Sequence, residues 1–374
     1  MLRVLLKIGL ALIALVVLLA IGITAFLFLA PTFGAGGQGD SNPRLNASPN
    51  YADGRFHNNV ETTLATRGAV DPDRSTMDFF FPPEGKRPPA PIPSVPLQAH
   101  TLANGHAAWL GHSTVLLRTA DRAVLIDPVF YDASPVPMTV HQFPMVHTPC
   151  IDELPPVDAV LISHDHYDHL DHRAIGELAS RVGQFLVPLG VGAHFARWGI
   201  DPRQVVELDW YEHHDLGDVR FTLTPSRHFS GRALTNRNTT LWGGWVVRSP
   251  QLSVFYSGDS GYFDGFTEIG ERLGPFDVAF IENGAYDATW AQIHMTPEQS
   301  VQASIDLGAS HFFPVHWGKF DLAFHRWDEP IERALAEANK RDVSVITPVI
   351  GEVFALGAGP TARWWDALRP PVDD

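Results

Sequence analysis

The chain has 374 residues, 45% of them apolar and 18% charged, a globular composition that excludes a wholly disordered protein. Its formal charge of -15 repels nucleic-acid phosphates, so no nucleic-acid partner is expected. With Cys150 as the single cysteine, an internal disulfide and a zinc-thiolate cluster are both excluded.

The first element is an apolar run from Ile8 to Phe33, "IGLALIALVVLLAIGITAFLFLAPTF", without a charged residue. About 20 apolar residues span a bilayer core as a helix, whereas the apolar part of a cleaved signal is about 7–15 residues long. The run therefore predicts an uncleaved single-pass anchor over residues 1–33, with cleavage near "TFGA" as the alternative. Arg3 and Lys7 precede it and Arg44 is the one nearby basic residue after it. That bias puts the N-terminus in the cytoplasm and the remainder outside, in the periplasm if the cell is bacterial. Residues 34–99 then read as a Gly/Pro-rich tether and extended arm, because "FFFPPEGKRPPAPIPSVP" is too proline-rich for a helix or a central strand. Its aromatic cluster, Phe79–Phe81, is expected to pack on the globular domain, which spans residues 100–374.

Inside that domain the chain repeats itself. "PVDAVLISHDHYD" (Pro156–Asp168) and "PFDVAFIENGAYD" (Pro275–Asp287) share Pro, Asp, Ile, Tyr and Asp at identical offsets, and each reads as a buried strand leaving into a loop. Upstream, Trp109–Phe130 and Trp242–Phe263 each give Trp-x-Gly, a strand, a turn and a second strand followed by Asp127 or Asp259. Helices are expected after the repeated strands, over Asp171–Val182 and Thr296–Gly308. Two such halves stacked sheet on sheet with helices outside make an α+β, four-layer αβ/βα sandwich.

The stretch "ISHDHYDHLDHR" (Ile162–Arg173) holds four histidines and three aspartates at the end of the first repeated strand. Neutral imidazoles and carboxylates suit Zn²⁺, and a His-x-His-x-Asp-His run can serve two neighbouring ions. Three more candidates follow strands elsewhere: His228 after "VRFTLT", Asp259 after "LSVFY" and His316 in "FFPVHWGKF". His164, His166 and His228 are assigned to one ion, Asp168, His169 and His316 to the other, and Asp259 to the bridge. A hydroxide held between such ions is the expected nucleophile of a hydrolysis. Asp127 and His112 are candidates for orienting the ligands from behind, with a hairpin cap as the alternative for His112. His213 and His214 read as a solvated turn. Trp245, Trp317 and Trp327 are candidates for an acyl-chain groove, and Trp242 for the core. His172 and His325 carry no assignment.

The "HDHYDHLD" run resembles the metallo-β-lactamase superfamily. Longer phrases are similar to its N-acylphosphatidylethanolamine-hydrolysing phospholipase D branch: "GHSTVLL", "DPVF", "TPSRH", "LWGGW", "GDSGY", "GAYD" and "VHWGKF", in one order between about His106 and Leu322. The resemblance implies the metallo-β-lactamase sandwich and two Zn²⁺ on the seven residues above. It also implies that His294 in "QIHMTPEQS" stands near the substrate phosphate, so that Asp259 and His294 are the catalytic candidates. Asp165 stands where the branch often has Asn, and Glu282 with Asn283 where an apolar-proline pair is usual. The expected activity is zinc-dependent cleavage of a phospholipid phosphodiester at a membrane. A lactone or amide hydrolase and a non-catalytic metal-binding module are the alternatives. A homodimer is compatible with this reading, with no residue assigned to its interface.

Overall fold

In the computed structural model, residues 2–35, 39, 42–65, 84–136 and 139–369 are described. The expected packing of Phe79–Phe81 lies outside the described residues. The apolar run forms α1, Leu2–Leu29, which begins six residues earlier than the uncharged run and gives way at Pro31 to a short 3-10 turn, Pro31–Phe33. Pro31 lacks the N–H that would continue the helix ladder.

Two sheets build the body. The first has the order β15-β3-β4-β5-β6-β7-β8, with β3 His106–Trp109, β4 Val115–Thr119, β5 Arg122–Ile126, β6 Val157–Leu161, β7 Val182–Pro188, β8 Val205–Leu208 and β15 Val353–Ala355. The second has the order β14-β13-β12-β11-β10-β9, with β9 His213–Leu216, β10 Val219–Thr224, β11 Gly244–Arg248, β12 Ser253–Tyr256, β13 Phe276–Glu282 and β14 Ala309–Val315. The expected repeat is visible in the pairing. β4 runs antiparallel to β5 and β5 parallel to β6, and β11 runs antiparallel to β12 and β12 parallel to β13.

Strand alternation makes the layers. In β4 to β6, Val115, Leu117, Val124, Ile126, Ala159 and Leu161 face a core shared with Phe221, Trp245, Tyr256, Val278 and Phe280 of the other sheet. Their neighbours Leu116, Leu125 and Val160 face the other way, onto Ala174, Ile175 and Leu178 of the helix His172–Leu178. On the far side Phe255, Ala279 and Ile281 pack on Phe266, Ile269, Val301 and Ala338 of the helices Gly265–Leu273, Pro297–Asp306 and Glu329–Lys340. This is the expected metallo-β-lactamase sandwich.

Several expectations are corrected. The segment read as a tether is built into the body over much of its described length: Leu45, Phe56 and Ile92 are fully buried, and a two-stranded hairpin of β1 Tyr51–Ala52 and β2 Arg55–Phe56 precedes His57. A free arm has no apolar side chain to bury, so the packed body starts well before His100. The helix expected over Asp171–Val182 stops at Leu178, because Val182 already opens β7. His213 and His214 stand in β9 rather than a turn, on opposite faces of an edge strand, with His214 Nε2 2.8 Å from Gln184 Oε1. Trp242, Trp245, Trp317 and Trp327 are all buried in the central core, and none lines the cleft at the candidate metal ligands; the Trp245 indole donates to the Ile162 carbonyl at 2.9 Å.

Candidate metal centre

Loops leaving β5, β6, β10, β12, β13 and β14 meet at one edge of the two sheets, the edge where α/β sheets place their ligands. The β6 loop brings His164, His166, Asp168 and His169. Asp171 caps the helix that follows, accepting from Arg173 N and Ala174 N, and so fixes where the loop ends.

The seven expected ligands come together in two groups sharing Asp259. In the first, His164, His166, His228 and Asp259 each offer one atom within 4.8 Å of the others. His164 Nε2 lies 2.9 Å and His228 Nε2 3.3 Å from His166 Nδ1, and Asp259 Oδ2 is 3.8 Å from both of those Nε2 atoms. In the second, Asp168, His169 and His316 gather with His112: Asp168 Oδ2 is 3.2 Å from His316 Nε2 and 3.5 Å from His169 Nε2. Asp259 reaches this group as well, with Oδ1 3.2 Å from His169 Nε2 and Oδ2 3.1 Å from His316 Nε2.

The far nitrogens explain why these ring atoms point inward. His169 Nδ1 sits 2.7 Å from Asp127 Oδ2, His228 Nδ1 is 2.9 Å from the Ile293 carbonyl, and His164 Nδ1 is 2.9 Å from Ser163 Oγ. Bonded there, each ring leaves Nε2 free for a metal. Asp127, fully buried, also accepts from Ser163 N, Ser163 Oγ and Tyr256 OH. His112 is placed by its Nε2 3.1 Å from Asp168 Oδ2, and its own carbonyl accepts from His316 N and the Trp109 indole. It braces two ligand loops. His112, Asp127 and His316 all have positive φ, at 54°, 41° and 66°, backbone strain of the sort that collects at functional sites.

The donors fit divalent ions. His169 Nε2 and Asp259 Oδ1 are buried and, although 3.2 Å apart, are not aligned for a hydrogen bond with each other or with any other described group, which is costly unless something else takes their lone pairs. Burial pushes His164, His166 and His228 below the usual imidazole value, His164 and His228 well below, which keeps them neutral as ligands must be. The second group behaves oppositely: against the effect of burial, Asp259 and Asp168 hold His169 well above the usual imidazole value and His316 up to about 10. These two rings in turn, again against burial, hold Asp168 and Asp259 well below the carboxylate range, so positive charge is favoured where a divalent ion would displace the ring protons. His112 is pushed down to about 3 by burial and by His316.

His294 stands beside this set. Its ring centroid is 5.1 Å from that of His228 and 5.5 Å from that of His316, and its Nδ1 is 2.8 Å from Glu282 Oε2. Glu282 is wholly buried at the end of β13, and its other oxygen accepts from Met295 N at 2.6 Å. A role for Glu282 was hidden in the sequence, although the repeat gave a signal: it occupies the offset of Ser163, the residue next to the first ligand. The segment before His100 was missed too. Asn58 brackets His228, donating to its carbonyl at 2.8 Å and accepting from its N–H at 3.1 Å. His325 Nε2, unassigned in the sequence, accepts from Ala285 N at 3.2 Å and steadies the loop after β13.

The metal groups open into a cleft of about 600 Å³. His166, Asp168, Asp259, His294 and His316 reach its floor, and Leu64, Phe229, Trp290, Ile293 and Leu322 give it apolar walls. No periodicity announced these wall residues, because they come from four separate loops, Trp290 and Ile293 sharing one.

Residues 122–317, just over half of the chain, match a family model described as a β-lactamase superfamily domain. An uncharacterised protein of Mycobacterium tuberculosis is 41% identical over 334 residues, covering 85% of this chain and 87% of its own. N-acyl-phosphatidylethanolamine-hydrolyzing phospholipase D 1 of Caenorhabditis elegans is 32% identical over 275 residues, 68% of this chain and 77% of that protein. Among solved structures, a metallo hydrolase from the archaeon Ignicoccus hospitalis aligns with a TM-score of 0.51 at 20% identity, covering 67% of this chain and 97% of its own.

Proposed function

Because the chain belongs to the metallo-β-lactamase superfamily and is a metal-dependent hydrolase, we propose that it is a membrane-anchored phosphodiesterase of the phospholipase D type. Its substrates are N-acylphosphatidylethanolamine-like phospholipids, and its products phosphatidic acid and an N-acyl amine. The observation that carries this reading is the cleft, which joins apolar walls to a floor of metal donors and His294. A lipid has that same division, an acyl part and one anionic phosphodiester.

His164, His166 and His228 would hold one Zn²⁺ and Asp168, His169 and His316 a second, with Asp259 shared. Two Zn²⁺ so bound supply a water of lowered pKa and neutralise charge on the phosphoryl oxygens. The chain's own residues do the rest. His294, with Nδ1 engaged by Glu282, keeps Nε2 for a phosphate oxygen or the leaving group. Asp127 and His112 hold His169 and Asp168 in place from behind. Leu64, Phe229 and Trp290 exclude water around the acyl chains.

The helix α1 is long and apolar enough to cross a membrane. Its 28 residues rise about 42 Å at 1.5 Å each, more than the roughly 30 Å of a bilayer core. With Arg3 and Lys7 in its first two turns, ahead of the uncharged run, the N-terminus is cytoplasmic and the catalytic domain lies outside. A periplasm-dependent reporter fused after Asp374 should be active, and a reporter active only in the cytoplasm would reverse this orientation. For the activity, the full chain in mixed micelles should hydrolyse defined N-acylphosphatidylethanolamine. Intact phospholipid beside rapid opening of lactones would replace the phosphodiesterase with a lactonase.

A further inference from the structure

A helix joined to its domain by a glycine-rich linker would let that domain swing. The residues leaving α1 do the opposite. Arg197 donates to the Phe28 carbonyl at 3.1 Å and to Leu29 at 3.4 Å, and the Trp198 indole donates to the Pro31 carbonyl at 2.8 Å. Arg232 Nε donates to the Thr32 carbonyl at 3.0 Å, and Ala35 N donates to His194 Nδ1 at 2.9 Å. Phe33 is buried. Gly34 has φ +64°, and a Cβ there would stand 2.1 Å from His194 Nδ1. The close approach requires glycine.

The groups that receive this segment reach the metal loop. Since His194 Nδ1 accepts from Ala35, its Nε2 carries the hydrogen and donates to Asp165 Oδ2, 3.1 Å away. Asp165 also accepts from Gly231 N and Thr240 Oγ1 and lies between the candidate ligands His164 and His166. Arg232, 3% exposed, gives Nη1 to the carbonyls of Asp165 and Leu170, each at 2.7 Å. One guanidinium therefore joins the exit of α1 to both ends of the metal loop.

The same contacts place an apolar tip beside the end of α1. Asn236 Oδ1 accepts from Arg232 N at 3.0 Å and Ala233 N at 2.7 Å, closing a turn with Leu234 at its apex, 84% exposed. A lone exposed leucine is ordinary on a soluble surface. Here the base of the turn is bonded to Thr32, three residues beyond the end of α1 and so within roughly 11 Å of it. Trp198 and Arg197 flank the exit, an aromatic and a cation of the sort that sit at headgroup level. Phe229, on the cleft wall, is three residues before Arg232.

We propose that residues 28–35 moor the domain to the end of α1, so that Leu234 enters the bilayer surface and the cleft mouth is held at the headgroup layer in one orientation. The proposal rests on the reading of α1 as a membrane span, and the test separates the two. In full-length Cys150→Ser protein reconstituted in phosphatidylcholine–phosphatidylglycerol vesicles, nitroxide labels are placed singly at Leu15→Cys and Leu234→Cys. Collision with oxygen and with a water-soluble nickel chelate then reads their depth. Leu15 should report the hydrocarbon and Leu234 the boundary, about 5–10 Å into the headgroup and acyl region. Adding Gly34→Val should raise nickel accessibility at Leu234 several-fold and leave Leu15 unchanged. Arg197→Gln with Trp198→Phe, both on the surface of the mooring, should do the same if Gly34→Val fails to fold. A deep Leu15 beside a fully water-exposed Leu234 in the parent overturns the mooring and spares the anchor, as does a Leu234 depth unmoved by either variant. A water-exposed Leu15 overturns the anchor itself.

Discussion

At the scale of single residues, the candidate site depends as much on the side chains behind the proposed ligands as on those ligands. Asp127 joins Ser163, Tyr256 and His169 through one buried carboxylate. Asp127→Asn keeps the volume and loses two of the acceptor positions, so metal affinity should fall about 10–100-fold, as is usual for partners of ligating histidines. Competition against a chromophoric chelator measures this, and an unchanged affinity would remove Asp127 from the account. Lys319 makes a different prediction. Burial pushes its ammonium down to about 7, against an ordinary value of 10.5, with the Leu110 and Val129 carbonyls as acceptors. Between those two values the unfolded chain binds the proton and the folded one does not, so stability rises as the pH goes from about 7 to 10.5. Below 7 the full cost of burying the charge is felt, on the order of a few kcal/mol at roughly 1.4 kcal/mol per pH unit. Denaturant unfolding of Lys319→Met should lack that rise, and a parallel pH dependence in both proteins would contradict it.

At the scale of elements, the strand ends were the legible part. The candidate ligands His164, His166, Asp168, His169, His228, Asp259 and His316 all follow strands that the buried apolar runs had already located, and the repeat placed Asp127 and Asp259 at matching ends. What stayed hidden depends on long-range packing. Nothing local in Asn58 says that it will bracket His228, and nothing in Gly34 or His194 says that they will meet across 160 residues of chain. Proline-rich sequence argued against a helix over 79–96, and none forms in the described residues 84–96, but it could not foresee the short helix Pro43–Ala47 or tell a loose arm from one whose Leu45 and Phe56 are buried. The tryptophans misled for a related reason: an aromatic ring suits a lipid groove or a core equally well, and only the packing of the two sheets decides. Close approach also yields a test. A Cβ on Gly284 would lie 2.1 Å from the His316 carbonyl oxygen, backbone that cannot turn aside. Gly284→Ala should therefore displace His316 and lower bound metal from about two equivalents toward one by elemental analysis. Retention of both would place His316 outside the second group.

At the scale of the whole molecule, two stacked halves produce one asymmetric site. The first supplies a loop dense in histidine, and the second supplies Asp259, Glu282, His294 and His316 from strands with the same topology. The acidic chain, -15 overall, concentrates its catalytic chemistry in a cleft where burial and paired charges set protonation. α1 is long enough to hold that cleft against a source of lipid, where effective concentration favours a phospholipid over a dilute soluble ester. The central claim is attack of solvent oxygen on phosphorus, and isotopic water tests it most directly. Hydrolysis of N-acylphosphatidylethanolamine by the full chain in ¹⁸O-water should place the heavy oxygen in phosphatidic acid and leave the released N-acyl amine unlabelled. Label in the amine product, or in a fatty acid freed from the lipid, would mean that the bond broken is not the phosphodiester P–O bond and would contradict the phosphodiesterase account.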